Sequence, residues 1–85
     1  MMPYILPEDR VKYDGRLGDF PVIDNKGELE YCIYRLMVAF MKTREKRYDS
    51  FHDCVYAAQH CSDEFRRMFL DPREDRARES NGDIE

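Results

Sequence analysis

At 85 residues, with 42% apolar, 38% charged and 13% aromatic residues, the chain has room for one domain and enough apolar and aromatic side chains to fold, and it is too charged for a membrane protein. Fourteen Lys and Arg against eighteen Asp and Glu give a net charge of −4, which argues against a dedicated duplex-DNA binder, whose affinity comes from neutralising phosphates. A chain this short buries only roughly 60% of its unfolded surface, so assembly with other copies is expected.

The first ten residues have no basic n-region, no apolar run of signal-peptide length and no small-residue cleavage site, and the longest apolar stretch, residues 31–41, is broken by Arg35. A cytosolic protein without membrane contact is expected. Cys32, Cys54 and Cys61 are odd in number and sit inside helical patterns, so they read as reduced core thiols.

In chain order, residues 1–25 read as an irregular segment with one short helix opened by Pro7 ahead of Glu8 and Asp9. Phe20, Pro21, Val22 and Ile23 suit an extended apolar lid better than an edge strand, because Pro21 removes a ladder donor. The first strong helix spans 26–43: Asn25 can cap it and Glu28 can reach back. At about 100° per residue its apolar side chains form two stripes. Leu29, Cys32, Ile33, Leu36 and Phe40 make one, and Tyr31, Tyr34, Val38 and Met41 lie nearly opposite. A helix apolar on both sides must be covered on both, so the second stripe is expected to meet the amino-terminal segment or another copy of the chain.

A charged connection over 42–49 leads to a second helix, 50–70, capped by Ser50 and one-sided in the ordinary way, with Cys54 and Cys61 on its apolar face. Asp71 and Pro72 mark a third, charged helix over 72–80, stopped by Asn81 and Gly82 and followed by a short tail; its alternating charges suggest internal pairing. The expected fold is all-α: two main antiparallel helices joined by a short connection, with a short amino-terminal helix or extended segment and a charged carboxy-terminal helix, in a single domain over 1–85.

Chemistry is sparse. His52, Cys54, His60 and Cys61 lack the spacing that converges metal ligands, and a thiol in an apolar stripe is a poor nucleophile. No glycine-rich phosphate loop, Gly-x-Ser-x-Gly elbow or paired-carboxylate arrangement is present, so a non-enzymatic protein without cofactor or metal is expected. The polar back of the second helix is the candidate site. Tyr56, His60, Asp63 and Arg67 recur at intervals of four, three and four and share a face, with Arg66 beside them. Phenol, imidazole and guanidinium together suit a phosphate, a nucleotide or an acidic protein surface, whereas the same face read structurally is a solvated one held by an Asp63 to Arg67 pair. The basic loop Lys42 to Arg47 with Tyr48 reads as a charged turn.

Five groups of residues span the chain from end to end: Met2-Pro3-Tyr4-Ile5 with Arg10 and Tyr13-Asp14, Gly27-Glu28-Leu29 with Tyr31, Glu64-Phe65-Arg66-Arg67, Pro72, and Asn81-Gly82-Asp83. In these the chain resembles a family of small uncharacterised proteins encoded mainly by tailed bacteriophages and prophages. The resemblance carries no activity or functional residue; it implies a phage accessory product in the host bacterial cytoplasm. The function expected is a counter-defence binding protein, a homo-oligomer that sequesters a small anionic or nucleotide-like ligand through Tyr56, His60, Arg66 and Arg67, with Tyr31, Tyr34, Val38 and Met41 as its oligomer interface. The alternative is a protein-surface inhibitor of a host protein, and a small enzyme is third.

Overall fold

Pro7 opens the first helix: its missing N–H falls where a helix start leaves N–H groups unpaired anyway, and Glu8 and Asp9 set negative charge at the positive end of the dipole. The structure, a computed structural model, describes residues 4–82. Met2, Pro3 and Asp83 of the motifs that carry the resemblance, and the tail beyond Gly82, lie outside the described residues. Helix α1 covers Pro7–Gly18, 12 residues, longer than the short helix expected in this region. Arg10 to Tyr13 between two good end signals outweigh Gly15, whose cost in a helix is about 1 kcal/mol.

Residues 19–24 form neither helix nor strand, and there is no strand among the described residues. The expected apolar lid is corrected in part, because Val22 is 81% exposed and covers nothing. Helix α2 is Lys26–Lys42. The Asn25 side chain accepts the Glu28 N–H at 2.9 Å, the expected cap, while the Glu28 carboxylate reaches back one residue beyond it and accepts the Asp24 N–H at 2.8 Å. At its other end the Thr43 hydroxyl donates to the Phe40 carbonyl at 3.2 Å.

Helix α3, Tyr48–Phe65, starts two residues before the expected Ser50 cap. The Arg47 N–H donates to the Glu45 carbonyl at 2.9 Å and the two side chains pair at 3.2 Å, which turns the connection early and leaves extended Arg47 at the cap position without a side-chain bond. Asp71 caps nothing either. Five residues, Arg66–Leu70, wind as a π-helical turn directly into α4, Asp71–Asn81, so helical backbone runs unbroken from Tyr48 to Asn81. Pro72 accounts for the wide turn. It has no N–H, and its ring would strike the Met68 carbonyl in a regular helix; the ladder opens by one residue and the Asp71 N–H bonds the Arg66 carbonyl instead. At 1.5 Å per residue this 34-residue rod measures about 50 Å, which matches the longest dimension of the molecule, 50 Å.

Helices α2 and α3 pack as the expected antiparallel hairpin, with the Cys54 thiol donating to the Met37 carbonyl at 3.6 Å across the seam. Cys54, 7% exposed, is the one buried side chain among the described residues. Among those residues α1 packs on no other helix, and α4 touches only the π turn that precedes it. No helix is long and apolar enough to cross a membrane among the residues described.

Candidate functional site

Successive side chains four apart on a helix drift by about 40° and stay within ring contact. On α3 this places Tyr48, His52, Tyr56 and His60 in one ladder. Ring centroids lie 4.1 Å apart for Tyr48 and His52, 5.3 Å edge-on for His52 and Tyr56, and 6.3 Å and nearly parallel for Tyr56 and His60. Tyr48, Tyr56 and His60 are exposed and His52 is half-buried. Tyr56 and His60 are thus brought together, and Tyr48 and His52, read in the sequence as part of a charged turn and as a rejected metal ligand, extend the same stripe by the same interval of four.

The arginine end of the expected site is arranged differently. Arg67 does not pair with Asp63. Its guanidinium forms a fork on Glu64, Nε to Oε1 and Nη2 to Oε2 at 2.8 Å each, and the Tyr4 hydroxyl donates to the same Oε2 at 2.6 Å. A glutamate three residues back has the reach for a two-pronged contact, which a single-point bond to the shorter Asp63 would not match. The Arg67 fork, aided by the Tyr4 hydroxyl, holds the Glu64 carboxyl down at about 2, while the bond to Glu64 pushes the Tyr4 phenol and the Arg67 guanidinium up. Arg67 is therefore committed to a tether between the segment before α1 and the end of α3. Arg66, on the π turn, makes no ion pair among the described residues. Of the four expected binding residues, then, two form a ring pair, one is engaged elsewhere and one is open.

A concavity lies on the other side of α3. A groove of about 660 Å³ runs between α2 and α3, walled by Leu29, Ile33, Leu36 and Phe40 on α2 and floored by Ala57, Ala58 and Ser62 on α3, with no charged side chain among the described residues that line it. None of Tyr56, His60, Arg66 or Arg67 lines it. Cys61 does, and it is exposed, so its reading as a core thiol is corrected: all three thiols are free, but Cys54 alone is buried. The opposite stripe of α2 is open as well. Tyr31 and Tyr34 are 60% and 66% exposed, Val38 is at the edge of exposure and Met41 is half-buried, so the described amino-terminal segment does not cover them. Arg35 lies over the Tyr31 ring and donates to its hydroxyl at 2.7 Å. No three His, Cys, Asp or Glu side chains converge on a metal-sized point among the described residues.

Over residues 2–84 the chain matches the family described as a domain of unknown function (DUF6899). No curated protein and no solved structure matches it.

Proposed function

We propose, from the premise that the chain belongs to this family of unassigned function, that the protein is a non-enzymatic binding protein, working as a homo-oligomer, that takes a small anionic, nucleotide-like ligand on the Tyr and His face of α3. The ladder of Tyr48, His52, Tyr56 and His60 carries the reading. Aromatic rings offer a flat ligand stacking worth about 1–3 kcal/mol per base, and imidazole N–H groups and the unpaired Arg66 suit its phosphates. Arg44 and Lys46, in the connection that enters α3 beside Tyr48, add positive charge at the ladder's other end, where Arg47 is paired with Glu45.

The resemblance to phage-encoded proteins supports a setting in the bacterial host cytoplasm and a counter-defence role, in which holding a signalling nucleotide withholds it from host enzymes. A second reading, inhibition of a host protein, is favoured by α4, a charged helix that lies exposed beyond the hairpin.

Protein purified natively from bacteria and then heat-denatured should release a nucleotide detectable by mass spectrometry, and Tyr56→Ala with His60→Ala should release none while keeping its helicity. A stoichiometric host protein in place of a small molecule would favour the second reading.

A further inference from the structure

The described fold is a core cut in half. A monomeric protein of 10.3 kDa exposes roughly 5,400 Å², whereas this chain exposes 8127 Å². The excess, about 2,700 Å² on one chain, is spread over α1, α4 and the hairpin; an obligate interface, which buries roughly 2,000–5,000 Å² summed over both partners, needs only part of it from each copy. The radius of gyration agrees: 16.7 Å, against about 12 Å for a compact chain of this length. One buried thiol does not offset the conformational entropy of ordering the hairpin.

We infer that the groove between α2 and α3 is closed by the same groove of a second copy of this chain, joining two hairpins about a two-fold axis into a four-helix core. The lining selects that occupant. Its α2 wall is bulky, with Leu36 and Phe40, and its α3 floor is small, with Ala58 and Ser62, so each copy supplies both the ridge and the hollow that the other needs, as a two-fold contact requires. The described lining residues carry no charge, which matches the apolar character of obligate homodimer surfaces. The exposed thiol of Cys61 then becomes an interface thiol, and the ladder on the polar side of α3 stays outside.

This inference rests on the homo-oligomer part of the function proposed above and names its contact; it stands or falls independently of any nucleotide. Sedimentation equilibrium of the parent protein at low micromolar concentration, with alkylation of Cys61 followed by peptide mass spectrometry, tests it. The mass of two chains is expected, with Cys61 reacting at least roughly a hundredfold more slowly than in the urea-unfolded chain, because reaction then requires the pair to open. Ala58→Arg, in the floor of the groove, should give single chains and a Cys61 that reacts as in urea, whether or not the variant keeps its helices. Val38→Glu, on the opposite stripe, should leave two-chain mass and protection unchanged. A one-chain parent, with Cys61 protected or not, overturns the inference. So does a different number of copies, a two-chain parent with a freely reacting Cys61, or a pair broken by Val38→Glu and spared by Ala58→Arg.

Discussion

The Tyr4 hydroxyl reaches sixty positions along the chain to donate to Glu64 at 2.6 Å, on the oxygen that Arg67 also holds. It ties the segment ahead of α1 to the end of α3. The folded Glu64 carboxyl titrates at about 2 rather than 4.5, so its contribution is complete above about 4.5 and is lost as pH falls from there toward 2. The Tyr4 phenol is raised above 10, so its contribution is present below 10 and is lost as pH rises through the higher folded value. In Tyr4→Phe the Glu64 carboxyl, followed by NMR titration, should move part of the way back toward 4.5. An unmoved titration would remove Tyr4 from the tether.

Arg66 and Arg67, adjacent in sequence, should separate in function. Arg67→Ala breaks the fork and raises the Glu64 titration, and limited proteolysis should then cut the segment before α1 faster. Arg66→Ala should leave stability within about 0.5 kcal/mol, as for a surface side chain without partners, and weaken nucleotide binding measured by calorimetry. Equal binding losses in both variants, with equal proteolysis, would contradict the division of roles.

Pro72→Ala restores an N–H and removes the ring clash, so the π turn should close into regular helix and stability should rise by up to about 3 kcal/mol. Amide hydrogen exchange over 66–72 and thermal melts report both effects. A π turn retained in the variant would show that Pro72 is not its origin.

Cys54→Ala should lower stability by about 1 kcal/mol through a small cavity at the one buried side chain among the described residues. A denaturant melt with an unchanged midpoint would mean that the hairpin seam tolerates the loss by collapse.

Local signals made α2 legible: Asn25 and Glu28 form the cap that their spacing announces, and the two apolar stripes are both there. The start of α3 was not, because Arg47 holds the cap position by backbone geometry and not by residue type. Nor does any periodicity reveal a π turn, which shifts the phase by a single residue around Pro72. Within the site, Tyr48 and His52 were available by stepping four residues back from Tyr56, whereas the Tyr4 to Glu64 contact joins sites too far apart for any local pattern. Helical spacing also tells which side chains share a face, but not whether this chain covers it. Cys61 shares the stripe of buried Cys54 and is exposed.

The continuous rod from Tyr48 to Asn81 gives the π turn leverage. Beyond it α4 is a cantilever of about 16 Å, with no other helix bracing it among the described residues, so a change of about 20° in the bend at Arg66–Leu70 swings its tip by about 6 Å. The same turn carries Arg66 and the Arg67 anchor of the Tyr4 tether. The Tyr4 tether therefore ends at the root of the arm, where a small difference of angle has its largest effect at the tip.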